Sequence, residues 1–211
     1  VVYDNGLVRI DDAQLSIGSG NAKVKGQYVV DTGDFDAVAN VHALSLDTFT
    51  QDMTMPITGT IDGEIHVLGK NNQLTDLVGA VQGHHIGVRG VILDSVKADL
   101  THSDNLTNIT MVGNMGAGSF SGYGSIQNGQ VDATVSGNAL PLTSLSPIIG
   151  EDVAGTLSTS INVKGALDNP NVIGTVWGQE VLYKGAHFND IHSDITLDNH
   201  VLTITNGHIG D

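Results

Sequence analysis

Apolar and polar residues alternate along most of this chain. Ala13, Leu15 and Ile17 are spaced by two, as are Ala22, Val24, Gly26, Tyr28 and Val30, then Phe35, Ala37, Ala39, Val41 and Ala43. The same spacing recurs in Ile61, Gly63, Ile65, Val67, in Val131, Ala133, Val135 and in Leu157, Thr159, Ile161, Val163. A period of two puts one set of side chains on one face of a pleated strand, and the intervening Asp, Asn, Ser, Thr, Lys and His on the other. Half-wet strands follow. Thr32-Gly33, Asn128-Gly129, Asp198-Asn199 and Asn206-Gly207 sit at or between these segments and carry turn chemistry, so neighbouring strands are expected to run antiparallel. Leu142 to Val153, with Pro147 inside it, and its counterpart Leu46 to Pro56 are expected as loops or single turns.

The pattern repeats. At an offset of 96, Gly20, Gly26 and Gly33 fall on Gly116, Gly122 and Gly129, Asp36-Ala37 on Asp132-Ala133, and Gly59-Thr60 on Gly155-Thr156. Ile65, Val67 and Gly69 meet Ile161, Val163 and Gly165; after a one-residue slip, Gly79, Val81, Gly83 and Gly90 meet Gly174, Val176, Gly178 and Gly185. Asn199 to Ile204 then echoes Asn5 to Ile10. The expected organisation is two copies, about 1–96 and 97–192, with a third beginning over 193–211. Strand spacing alone would also fit a sandwich or barrel. A module of several strands in tandem favours a growing sheet or solenoid in which each copy packs on its neighbours. Val1-Val2-Tyr3-Asp4 starts in mid-pattern, as expected of a fragment of a longer chain.

Composition sharpens this. Of 211 residues, 27 are Gly and 4 Pro, and 40% are hydrophobic with 15% charged, which suits short strands and tight turns and argues against disorder. Aromatic residues are 4%, so the buried surface must be aliphatic and thin. The net charge of −15 opposes phosphates and anionic headgroups, so no nucleic-acid partner is expected and any lipid contact must be apolar. No cysteine is present, which removes disulfides, thiolate metal sites and a cysteine nucleophile. No apolar run approaches the roughly 18 residues that span a bilayer.

Candidate chemistry is sparse. His84-His85 is the most metal-like pair, but neighbours on a strand point to opposite faces, and the second copy has Gln179-Glu180 there. Asp31, Asp34 and Asp36 lack the spacing and terminal Glu of a calcium loop and are expected as solvated turn carboxylates; Asp11-Asp12 is expected as a turn. Asp99 and Asp194 recur in equivalent places, which suggests a turn or strand-end bond. Gly116, Gly118 and Gly122 lack the helix and spacing of a nucleotide loop and mark a strand edge or bend. No catalytic residue, metal ligand or cofactor is assigned, and no enzyme is expected.

The run Gly155 to Gly174, with alternating Leu157, Thr159, Ile161 and Val163, Gly165, then Asn169-Pro170-Asn171-Val172-Ile173-Gly174, resembles the recurring strand pattern of the TamB proteins and their AsmA-like relatives. Val181 to Gly185 and Ile191 to Ile195 resemble that family's next strands; the first copy departs from it, with Gln73-Leu74 in place of Asn169-Pro170. The resemblance implies an all-β, elongated, curved, mainly antiparallel sheet forming an open trough, a β-taco, from tandem repeats. It also implies a periplasmic protein of a two-membrane bacterium, anchored to the inner membrane through parts of the chain absent here, whose hydrophobic groove carries phospholipid acyl chains between the membranes. An outer-membrane barrel protein of the TamA/BamA kind, and a role in outer-membrane protein assembly, are implied with it.

Physically, a single curved sheet with few aromatics leaves a furrow along its apolar face. Groove-facing candidates are Val24, Ala37, Ala39, Ile65, Val67, Val81, Ala133, Val135, Ile161, Val163 and Val176. The alternative is a packed β-solenoid adhesin or autotransporter passenger, whose rungs recur at roughly 20–30 residues.

Overall fold

The computed structural model describes residues 1–52, 56–149, 152–199 and 201–210. Its strands are β1 (Val2–Asp4), β2 (Leu7–Ile17), β3 (Gly20–Val29), β4 (Asp34–Ser45), β5 (Ile57–Lys70), β6 (Gln73–Val88) and β7 (Val91–Ser103). They continue as β8 (Leu106–Met115), β9 (Gly118–Gln127), β10 (Gln130–Pro141), β11 (Val153–Ala166), β12 (Asn169–Tyr183), β13 (Ala186–Asp198) and β14 (Val201–Gly210). Two short helices, α1 (Asp47–Thr50) and α2 (Leu142–Ile149), interrupt them after β4 and β10. All fourteen strands form one sheet in strict chain order, each antiparallel to the next, with β1 and β14 as its edges. The chain is an elongated, curved antiparallel sheet that does not close into a barrel, an open trough. Among the described residues no second sheet packs on it, and the meander differs from the architecture of a packed solenoid.

Short turns hold this meander together. Asn5-Gly6, Asn71-Asn72, Arg89-Gly90, Asp104-Asn105, Asn128-Gly129 and Lys184-Gly185 each join two strands with both residues at positive φ, the geometry of the two-residue turn whose twist matches that of the strands. Asn128-Gly129 is the turn that the sequence signals. Asn206-Gly207 is not a turn. Asn206 lies inside β14 at a bulge (φ 52), and its Nδ2 donates to Asp194 Oδ2 at 2.6 Å. Asp11-Asp12 is likewise a bulge within β2, between Ile10 and Ala13, rather than a turn. An extra residue in one strand keeps the flanking apolar residues on their face, which is why polar pairs of this kind can sit mid-strand.

The structure refines the repeat. The ladder Asp99↔Thr110, Leu100↔Ile109, Thr101↔Asn108 recurs 95 residues later as Asp194↔Thr205, Ile195↔Ile204, Thr196↔Thr203. The left-handed residues recur too: Ala43 and Ala139 (φ 48 each), Gly59 and Gly155 (108 and 106), His85 and Glu180 (50 each). Six strands, β3–β8, thus recur as β9–β14. Positions 96 and 192 fall inside β7 and β13, where Val96 corresponds to Ile191. One correspondence differs from the 96-residue offset: Gly20 and Gly26 occupy the places of Gly118 and Gly124, not Gly116 and Gly122. Gly26 faces Ala37 as Gly124 faces Ala133, and both Gly20 and Gly118 lie against the bulged Ala43 or Ala139. The β3–β4 connection is two residues longer than Asn128-Gly129, and the longer loop absorbs the slip.

α2 corrects a further expectation. Leu142–Ile149 is a two-turn helix despite Pro147. Leu142 is buried, and Leu145 packs on the small cluster of Val91, Met115 and Leu140, together with Leu93 and Phe120. Burial of that apolar side outweighs the one backbone bond the proline forgoes near the helix end. α1, the counterpart, is a single turn, and Met53–Met55, in the same stretch, lie outside the described residues.

At several places across the ladders of the apolar face a large residue is paired with a glycine. Ile10 faces Gly26, Ile65 faces Gly79, Ile109 faces Gly124, Ile161 faces Gly174 and Leu157 faces Gly178. A Cβ on Gly69 or Gly113 would run into the ring of Phe35 or Phe120, and one on Gly83 would approach Ile86 Cγ1 to 2.7 Å. Gly83→Ala is therefore expected to destabilise the fold by about 1–3 kcal/mol in urea denaturation through overpacking. In the background of Ile86→Ala the same change should cost much less, because the opposing branch is gone; equal costs in both backgrounds would show that the glycine serves another purpose.

Candidate functional site

The strand register carries one face of the sheet across the whole molecule. From Ala13, directly opposed residues run through Val24, Ala39, Ile65, Gly79 and Leu100 to Ile109, and on through Gly124, Ala133, Val163, Val172 and Leu197 to Leu202. Every member is Ala, Val, Ile, Leu or Gly. The next lane, two residues along each strand, contains Ala22, Val41, Val81, Met111, Val135, Ile161 and Ile195 and is equally apolar. At about 4.8 Å per strand, twelve steps make a lane on the order of 58 Å long.

All eleven residues singled out in the sequence lie on this face. Val24, Ala39, Ile65, Ala133 and Val163 are in the first lane and Val81, Val135 and Ile161 in the second. Ala37 and Val67 face each other on the far side of the first lane, and Val176 faces Thr159 beyond the second. The face is half-buried although nothing but the sheet's own curvature and the helices covers it. Side chains converge on the inside of a bend and spread on the outside, and on the half-burial of this face we take it as the trough's inner side.

That interior is lined, not filled. The buried hydrophobic residues are few (Ala22, Leu44, Val91, Met115, Leu140, Leu142 and Val181), and no described side chain is fully enclosed. The accessible surface is 12764 Å², whereas a compact chain of this length exposes about 9,300 Å². The excess belongs to a sheet covered on neither face. Strand bulges keep the lining continuous: Ile86, Leu140 and Val181 return to the inner face three residues after Gly83, Gly137 and Gly178, close to where a glycine Cβ would stand. A hollow of about 480 Å³ lies among Ser95, Lys97, Asn114, Ser121 and Asn138 of the other face, with Val112 and Phe120 also in its lining.

Polar groups on the inner face are satisfied locally. His102 Nδ1 lies 2.8 Å from Thr107 Oγ1, Thr159 Oγ1 donates to the Thr175 carbonyl at 2.9 Å, and Ser193 Oγ donates to the Thr205 carbonyl at 3.2 Å. Sequence alternation places His102 in line with Leu100, but only the register shows it partnered across the ladder.

The outer face holds the remaining candidate residues. Asp62 Oδ1 accepts the Ala43 backbone N–H at 3.1 Å and lies 2.6 Å from His42 Nδ1, while His84 Nε2 is 3.6 Å from its other oxygen. The Ala43 bond, working against desolvation and with smaller help from the His42 and His84 imidazoles, holds its carboxyl below the ordinary 3.8. In the second copy Ser158 Oγ does the same work, accepting the Ala139 N–H at 3.0 Å. Asp62 thus anchors a bulge. His85 is exposed at a bulge of its own (φ 50) and takes no part in the Asp62 cluster. Asp36 lies 2.7 Å from His66 Nε2, and Asp34 accepts the Asn71 N–H at 3.3 Å. Asp99 and Asp194 lie mid-strand rather than at turns. No group of three or more His, Asp or Glu suited to a metal occurs among the described residues.

No protein-family model matches the chain, and no curated protein or solved structure is significantly similar to it.

A depressed carboxyl pKa contributes stability that is fully present above the unfolded value and is lost as pH falls through the folded one. Asp62→Asn is therefore expected to lower stability at pH 7 and at pH 5 by similar amounts. The gap between the two proteins should close only as pH drops below 3.8, as read by chemical denaturation at each pH; a gap that closes near neutrality would assign the effect to the histidines instead.

Proposed function

We propose that the chain is a non-enzymatic scaffold whose trough holds the acyl chains of phospholipids in transit between two membranes. The observation that carries this reading is the unbroken apolar lane, open to solvent along its length. A bilayer leaflet is about 15 Å of hydrocarbon deep, so the lane is several times longer than one acyl chain. Each buried methylene contributes about 0.8 kcal/mol, and aliphatic walls supply no fixed polar anchor. A tail is retained yet free to slide, while its headgroup stays in water at the open mouth.

The polar outer face and the net charge of −15 support the same reading, since they keep the trough's exterior in water and discourage flat adsorption on anionic bilayers. The likeness of the second copy to the TamB pattern supports a periplasmic setting for the proposed activity, in a full-length protein anchored to the inner membrane. It also brings in an outer-membrane barrel as the proposed partner, with outer-membrane protein assembly as an associated role.

Phospholipid should be recovered by solvent extraction of the purified chain and seen as a retained adduct in native mass spectrometry. Val163→Asp, in the middle of the lane, should reduce photocrosslinking to lipid several-fold, whereas Ala substitutions at Asp34, His84 and His85 should leave it unchanged. A well-folded chain that carries no lipid, or a Val163→Asp protein that loads as well as the parent, would overturn the proposal.

A further inference from the structure

Strands β2, β8 and β14 are one element of the repeat seen three times. Each is paired on one side through an equivalent ladder, Tyr3↔Val8, His102↔Thr107 and Leu197↔Leu202, and each carries an isoleucine two residues on, Ile10, Ile109 and Ile204. On its other side β2 is paired by β3 and β8 by β9. Both incoming strands set a glycine against that isoleucine, Gly26 and Gly124, and a large residue, Tyr28 or Ile126, against Val8 or Thr107.

Among the described residues no strand pairs with the corresponding side of β14. Ile204 is 64% and Leu202 60% exposed, while Ile10 and Ile109 are half-buried. β14 also lacks the charges and proline that commonly keep an edge strand from pairing, since Val201–Gly210 contains no Asp, Glu, Lys, Arg or Pro over ten residues, and its bulge at Asn206 leaves Val201–Thr205 regular. The opposite edge is different, because β1 is three residues long and ends at Asp4.

From this we infer that the free edge of β14 is a docking site for an antiparallel strand of the β3/β9 type, supplied by a further repeat of this kind. Its glycine faces Ile204 and its large residue faces Leu202. The bulge at Asn206 adds a second requirement. Ile191↔Ile209 stands where Val96↔Gly113 stands in the first module, so Ile209 occupies the place of Gly113, the residue over which Phe120 of β9 lies. The strand that fits β14 therefore carries a small residue where β9 has Phe120.

A synthetic peptide with the sequence of Gly118–Gln127 and the change Phe120→Ala tests this in trans. It is expected to bind, to protect β14 amides from hydrogen exchange, and to bind more tightly than the unmodified peptide; adding Gly124→Val should weaken it at least tenfold. Equal binding of the Gly124→Val peptide, or protection at β1 and β2 in place of β14, would overturn the inference. Sedimentation showing β14 already covered by a second copy would overturn the assigned occupant.

Discussion

Everything in this molecule depends on how side chains share the concave surface of a bent sheet. Residues from adjacent strands meet there in directly opposed pairs, and at several of them a full-sized side chain on both strands would overfill the space. The chain answers with asymmetric pairs, Ile against Gly or Phe against Gly, repeated from β2 to β13. Each glycine gives up its own packing so that its neighbour can lie across it. The resulting surface is smooth, aliphatic and shallow, and it has the length of the sheet rather than the depth of a globular core.

The outer face follows the opposite logic. There the side chains spread apart, water reaches them, and the strands can afford bulges and polar cross-strand pairs. With eight Lys and Arg against 23 acids, histidines take up much of the pairing, as in His66 with Asp36 and His187 with Glu180 at 3.0 Å. Exposed pairs of this sort contribute little individually. Their more useful role is local: Asp62 and Ser158, unrelated in charge, satisfy the same bulge amide in the two modules, so the backbone feature persists while the side chain that serves it changes.

These two faces together explain why a site built for one ligand is hard to find and why a conduit is the reading best supported. Specific binding needs convergent polar groups in an enclosed space. The trough has neither; its polar atoms bond to their own sheet, and the two short helices close only small stretches of one end. What remains is an extended surface that favours hydrocarbon everywhere about equally, which suits the proposed passage of acyl chains.

Period-two alternation, glycine spacing and the near-96-residue repeat were enough to set the all-β class, the tandem organisation and the membership of the apolar face, because strand faces are a local property of every second residue. Val24, Ile65 and Val163 could be placed together on that ground alone. The bulges at Asp11-Asp12, Asn206 and His85 were not legible, since a polar pair in a strand looks like a turn until its partner strand is known. The helix Leu142–Ile149 was hidden for a similar reason: Pro147 argues against it locally, and only the cluster of Val91, Met115 and Leu140, drawn from distant strands, argues for it. Which residues face one another across the ladders, and hence that the apolar positions join into a single lane instead of separate patches, was decided by the tertiary structure, because register is set by the partner strand and the turn between them and not by either strand's own pattern.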